Sequence, residues 1–302
     1  MSLNMCLGKP FINLKLFVLS AIGLVALLTS CYVLDPQEPI PSYIKLEAPR
    51  FTTESNTQGS ASENISDYWI FVDDELIGVF EYPIEFPVLK SGNVNLEVFA
   101  GIKNNGISAE RISYPFYQRY KNDSSAFLSP GETTQLEPKF TYETQTEFAW
   151  LEDFENLNVS IDDDFSSTTT FEVYKGDNVF EGNSSGLVKL DFTKNRAFFS
   201  LNEPVDLPKF GTDIYLELDF LTDLEFFVGL RAFYSDGSQR DIDLVGINPN
   251  TEWQKIYIDL AEFVSTEVNA QKFSIYFFAQ YSGAEQDPES NLYLDNIKLV
   301  HF

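Results

Sequence analysis

Past residue 40, apolar and polar residues alternate along much of this chain, and turn-forming residues punctuate the alternating runs. Ile214, Leu216, Leu218 and Phe220 alternate with Tyr215, Glu217 and Asp219. Phe226, Val228, Leu230 and Ala232 alternate with Phe227, Gly229, Arg231 and Phe233, and Phe273, Ile275, Phe277 and Ala279 with Lys272, Ser274, Tyr276 and Phe278. Successive side chains of a strand point to opposite faces. Each run therefore predicts a strand with one dry face for a core and one outer face of aromatics and charges. Upstream, Tyr68 to Phe80 sets two apolar stretches around the acidic turn Asp73-Asp74-Glu75, a hairpin signal. Pro87-Val88-Leu89, the turn Ser91-Gly92-Asn93 and Val94 to Val98 predict a second pair. The pattern predicts an all-β chain of two β-sandwich domains, residues 43–144 and 145–302, with Trp69 and Trp253 in the cores.

The first 30 residues read differently. Lys9 and Lys15 precede an apolar run, Leu16 to Leu28, broken only by Ser20 and Gly23, and no acid occurs before Asp35. That is the form of a secretory signal, and the run is short of the roughly 20 residues a membrane span needs. It ends in Leu28-Thr29-Ser30-Cys31, which resembles the bacterial lipobox. The resemblance implies cleavage before Cys31 and its acylation with chains such as palmitate. Residues 31–42, with Pro36, Pro39 and Pro41, then form a tether. Tyr32 stands where an aspartate would imply inner-membrane retention, so the expected location is the outer membrane. Of its two leaflets the outer surface is favoured.

Composition narrows the function classes. Cys6 leaves with the signal and Cys31 carries lipid, so no disulfide is available. The formal charge of −26 repels phosphates and argues against nucleic acid. The single histidine, His301, and the lack of a free thiol remove Ser–His and Cys–His nucleophiles and most zinc sites. A carboxylate pair for glycoside hydrolysis is chemically open, but among 46 acids no segment marks one pair. The expectation is a non-catalytic protein.

Two resemblances add detail. Over about 35 residues, the hairpin and the turn after Leu89 are loosely similar to PEGA-type small β-sandwich repeats, so the first domain is expected to be an Ig-like or PEGA-like sandwich. The second domain carries Trp150-Leu151-Glu152-Asp153-Phe154-Glu155, Ser184-Ser185-Gly186, Trp253-Gln254-Lys255-Ile256 and Leu292-Tyr293-Leu294-Asp295-Asn296-Ile297. This order resembles the galactose-binding-like jelly rolls of carbohydrate-binding modules. The resemblance implies a structural calcium held by Asp153, Glu155 and Asp295, with a carbonyl near Ser184 or Ser185. The residues alone also allow Asp153 and Glu155 to be turn residues and Asp295 a cap. Asp162-Asp163-Asp164 is a solvated loop or a weaker cation site.

Tyr215, Glu217, Asp219, Arg231 and Tyr276 are the candidate ligand residues, aromatics for stacking on a sugar and charges for its hydroxyls. Glycan binding is the leading function. The alternative is an accessory lipoprotein docked on an outer-membrane protein, through a patch around Tyr114-Pro115-Phe116-Tyr117.

Overall fold

The computed structural model describes residues 18–19, 38–122, 126–156 and 158–302. Most of the expected signal, and Cys31 with its expected lipid, lie outside them. Among the described residues no helix is long and apolar enough to cross a membrane. Among residues 38–302 the fold is all-β, with short helices of four and six residues at Ser55–Gln58 and Ala261–Thr266.

The N-terminal half is built on one twisted sheet in the order β4 (Glu75–Phe80), β3 (Asp67–Val72), β7 (Leu96–Lys103) and β8 (Arg111–Ser113), with β9 (Tyr120–Lys121) also on β7. Small ladders pack across from it. β1 (Ser42–Leu46) lies between β5 (Ile84–Val88) and β11 (Thr133–Leu136). β2 (Arg50–Phe51) pairs with β12 (Lys139–Phe140), and β6 (Gly92–Val94) with β10 (Ala126–Leu128). Alternation fixes which side chains meet between them: Tyr68, Ile70 and Val72 point inward with Leu96, Val98 and Ala100. Trp69, Phe71 and Phe99 take the opposite face and stay half-buried. The expectation of Trp69 in the core is therefore corrected. Its neighbours Tyr68 and Ile70 hold the core positions, and period two leaves Trp69 none.

The C-terminal half is a two-sheet sandwich. One sheet runs β15 (Phe171–Tyr174), β16 (Ser185–Leu190), β23 (Ser290–His301), β18 (Ile214–Thr222), β21 (Gln254–Asp259), with β13 (Glu147–Glu152) beside the second half of β23. The other runs β14 (Ile161–Asp163), β17 (Arg196–Leu201), β22 (Ala270–Gln280), β19 (Phe226–Tyr234), β20 (Gln239–Ile247). Every residue expected on the dry faces of the three alternating runs lies in the core between them. Trp253 does not. It sits half-buried just before β21, 5.3 Å from the Phe180 ring and 6.3 Å from Tyr293, because β21 starts one residue later and its inward positions are Ile256 and Ile258.

The two halves share a buried seam. Tyr215, Tyr257 and Val300 of the second half belong to the N-terminal hydrophobic core. Tyr114 packs 4.8 Å from Tyr257 and edge-on to Tyr215 at 5.2 Å, while Phe116 lies 4.5 Å from Phe302. The Tyr114 to Tyr117 cluster, expected as an exposed docking patch, is thus the surface on which the chain's own second half sits. The turn after β7 also joins the edge of β21: Asn105 N–H donates to the Tyr257 carbonyl at 2.9 Å.

Charge is buried in this seam. Glu217, fully buried, accepts hydrogen bonds from Tyr114 Oη (2.8 Å) and Tyr142 Oη (2.9 Å) and pairs with Lys255 at 3.0 Å. Burial opposes ionisation of Glu217, but Lys255 and Lys298 outweigh it and hold its carboxyl below the usual range. Lys298 Nζ donates to the Ser60 carbonyl at 2.6 Å and to Tyr142 Oη at 3.2 Å. Burial, reinforced by the nearby charge of Lys255, pushes the Lys298 amine down to about 7.

Removing one partner of a buried ion pair costs about 3–5 kcal/mol, because the other charge stays buried. Glu217→Ala should lower the unfolding free energy in denaturant by about that much; a loss under about 1 kcal/mol would refute a closed seam. The Lys298 shift has a sign. The unfolded amine holds its proton up to its ordinary pKa, whereas the folded one releases it near 7. Stability should therefore rise with pH between about 7 and 9.5, by at most about 1.4 kcal/mol per pH unit. Lys298→Met should flatten this rise, as denaturation midpoints across that range would show.

Candidate functional site

The five candidate ligand residues do not share a face. Tyr215, Glu217 and Asp219 lie on β18 and are buried in the seam. Tyr215 Oη donates to Asn104 Oδ1 at 3.1 Å, and Asp219 accepts from Ser62 Oγ at 2.7 Å and Asn296 Nδ2 at 3.1 Å. Arg231 and Tyr276 lie on β19 and β22, in the other sheet. Alternation correctly sends all five outward, but a sandwich has two outer faces, and here one is covered.

The uncovered face carries an ordered row of groups. Strand pairing sets Phe198 of β17 beside Phe278 of β22, Tyr276 of β22 beside Gly229 of β19, and Arg231 of β19 beside Asp241 of β20. Gly229 is required here. The Tyr276 ring lies over it, so that a Cβ would stand 1.9 Å from the ring's Cζ. The ring is thereby laid flat on the sheet, stacked with Phe198 at 5.1 Å and 15°. The Tyr276 hydroxyl donates to Asp243 Oδ1 at 2.6 Å. Burial, then the hydrogen bond to Asp243, pushes that phenol far above its ordinary range, so it remains a donor.

Arg231 crosses this floor. Its Nε and Nη2 donate to the two Asp241 oxygens at 2.6 and 2.9 Å, its Nη1 lies 3.7 Å from Asp164, and its guanidinium sits 5.2 Å from the Phe198 ring centre. A bidentate pair of this kind fixes the planar group in direction as well as position. Phe227 and Phe278, 6.3 Å apart, and Arg196 over Phe278 at 5.1 Å extend the row. Phe198, Phe227, Phe278 and Arg231 are half-buried, and Asp241 and Asp243 exposed, so rings and carboxylates are both within reach of a ligand.

One rim of the face is the turn after β14. Asp164 N–H donates to the Phe198 carbonyl at 2.8 Å, and Ser167 Oγ to the same carbonyl at 3.0 Å. This fixed turn holds Phe165 at 99% exposure. Asp164 belongs to the acidic run read as a loop or cation site; here its carboxylate accepts from Ser166 N–H at 2.9 Å and faces Arg231. The alternating runs contained the signal for Phe227 and Phe278, whereas Phe198, Asp241, Asp243 and Phe165 lie in segments that alternation did not single out.

The carboxylates of the expected calcium site are each engaged separately. Asp153 Oδ1 accepts from Glu155 N–H at 3.1 Å. Glu155 accepts from the N–H groups of Asn183 (2.7 Å) and Ser184 (2.9 Å). Asp295 accepts from Ser185 Oγ at 2.6 Å and from Asn296 N–H at 2.8 Å. Burial pushes the Asp295 carboxyl up to about 7. Among the described residues no three acidic, histidine or cysteine side chains converge as a cage. The neighbouring Glu152 instead closes the turn, accepting from Phe154 N–H and from Ser160 N–H and Oγ.

No family model matches the sequence, and no curated protein matches it. Among solved structures, the chain is similar to the CBM22-1 xylan-binding domain from Paenibacillus barcinonensis Xyn10C, at 10% identity and a TM-score of 0.38, over 51% of this chain and 94% of that one. It is similar to the C-terminal family 22 carbohydrate binding module of Clostridium thermocellum Xyn10B at 14% identity and a TM-score of 0.36, over 50% of this chain and 91% of that one. The enzymatically active domain of tailspike protein 4 from bacteriophage CBA120 is also similar, at 13% identity and a TM-score of 0.39, over 50% of this chain and 20% of that one.

Proposed function

We propose that this chain is a non-catalytic, glycan-binding lipoprotein of the bacterial cell envelope, anchored through Cys31 and binding a neutral glycan on the outer face of the β14–β17–β22–β19–β20 sheet. One observation carries the glycan reading. The jelly-roll outer face that the N-terminal half leaves open combines the half-exposed rings of Phe198, Phe227 and Phe278, laid over a buried Tyr276, with an arginine clamped by carboxylates. Rings accept the C–H face of a sugar, and Asp241, Asp243 and Arg231 offer acceptors and a fixed donor to its hydroxyls. Acids flank the face on both sides, Asp162 and Asp164 at one rim and Asp241 and Asp243 at the other, which disfavours an acidic sugar. Phe165 supplies a further ring at the first rim. The accessory-subunit alternative loses its sequence basis, since the Tyr114 to Tyr117 cluster is covered from within the chain.

Calorimetry of the full chain against neutral oligosaccharides tests this. A charge-assisted hydrogen bond contributes about 1.5–3 kcal/mol, so Arg231→Ala should weaken binding roughly tenfold or more. Phe198→Ala should weaken it as well, and Glu47→Gln, on the other half, should not. Absence of heat with every neutral glycan tried would discard the reading.

The calcium expectation rests on the family resemblance alone, because among the described residues the three carboxylates do not converge on one point. An ion bound only by the native state must raise the unfolding midpoint. Adding calcium after chelation should therefore raise Tm, and more at pH 8 than at pH 5, because Asp295 must lose its proton to act as a ligand. An unchanged Tm at both pH values would remove the site.

A further inference from the structure

A second feature lies on the N-terminal half, away from the jelly-roll sheets. An open depression of about 550 Å³ is bounded by Arg119, Lys121 and Lys139, with Gln118, Thr141 and Glu143. Three cations, Arg119, Lys121 and Lys139, stand against two carboxylates, Glu143 and Glu97, a local positive excess in a chain with 20 Lys and Arg to 46 Asp and Glu. Two of the cations are held in place. Glu97, buried between them, pairs with Lys121 at 2.7 Å and Arg119 at 3.3 Å, and Arg119 also lies 5.8 Å from the Phe99 ring centre. The third is not neutralised. Lys139 pairs in register with Arg50 on β2, both are exposed, and neither enters an ion pair among the described residues. Like charges directly opposite on neighbouring strands are destabilising. The fold thus concentrates positive charge at one place against a net field that would otherwise repel any anion.

We propose that this depression is a binding site for an anion-bearing saccharide, a uronate chain or its equivalent, distinct from the neutral-glycan face. Lys121 and Arg119 are preorganised by Glu97, and preorganised groups lose less on binding. Lys139 supplies the uncompensated charge. Gln118 and Thr141 offer amide and hydroxyl partners to ring hydroxyls. The one ring in the lining, Tyr120, is half-buried against the core, and no bounding residue is a large exposed aliphatic side chain, so the lining favours a hydroxyl-rich anion over acyl chains or an apolar peptide.

The test is affinity electrophoresis of the full chain in polygalacturonate, in a neutral xylan, and beside phosphatidylglycerol vesicles. Polygalacturonate should retard the protein at about 50 mM salt and do so several-fold less at about 300 mM. Lys139→Glu should weaken that retardation about fivefold or more with Tm unchanged or slightly raised, because the side chain is exposed and the change removes its repulsion from Arg50. Lys121→Glu should weaken it further, and Lys139→Gln serves if the charge reversal lowers Tm. Arg231→Ala should leave polygalacturonate binding intact while reducing xylan binding, which separates this site from the jelly-roll face. Three outcomes would overturn it: no retardation in polygalacturonate at low salt, retardation of the Lys139→Glu and Lys121→Glu variants equal to that of the unaltered chain, or capture by vesicles without polygalacturonate binding, which would assign the patch to a membrane surface.

Discussion

The paired charge of Glu217 and Lys255 at the seam constrains everything around it. A carboxylate with no exposed surface is tolerable only if its charge is matched and its lone pairs are filled. Lys255 on the neighbouring strand supplies the charge, and Tyr114 and Tyr142 of the other half supply the hydrogen bonds. Neither half can satisfy Glu217 alone. Exposed, the β18 face would be an ordinary charged sheet surface; covered, it demands those two hydroxyls at those places.

This decides which outer face of the sandwich is left to solvent. The sheet that holds the first and last strands of the sandwich is closed by the N-terminal half. The opposite sheet is left free, and its surface is organised differently. Its arginine is partnered within the sheet by Asp241 and Asp164, and its tyrosine by Asp243. Groups on the covered face find partners across the seam, while groups on the open face find partners beside them. Side chains fixed by neighbours on their own sheet are already in place before a ligand arrives, which lowers the ordering cost of binding.

Much of the core was legible in the sequence, since alternation with period two states which residues point together. It named the inward residues of β18, β19 and β22 correctly. It could not say which of two outward faces would meet water, because Tyr215 and Tyr276 occupy identical positions in the pattern. The missed signal is charge pairing across strands. Glu217, Lys255 and Lys298 are opposite charges on adjacent strands of one sheet, Glu217 and Lys298 each between two aliphatic residues and Lys255 between Gln254 and Ile256. Lysines that an acidic chain places in apolar company indicate a buried pair rather than a solvated face. Trp69 and Trp253 failed for another reason: size suggested core, but strand phase, not size, assigns the face. The calcium triad came from the motif order of the second domain, and in the structure each of those carboxylates has hydrogen-bond donors of its own.

The seam also shows why charge is placed where apolar side chains would pack. Aromatic rings alone allow many relative positions of two surfaces, because their contacts are weakly directional. Tyr114, Tyr142 and Tyr257 each add a hydroxyl with a fixed partner, Glu217 for the first two and Asn64 N–H, donating at 2.9 Å, for the third. A shift of one residue along β18 or β21 would leave Glu217 and Lys298 buried without those bonds, at a cost of several kcal/mol. Directional partners therefore exclude the alternatives that rings would tolerate. Neither half contains a cysteine, so no disulfide between them imposes a single arrangement. The buried pair does so instead, and so fixes the direction in which the open sheet faces relative to the strand at Ser42 where the described chain enters the fold.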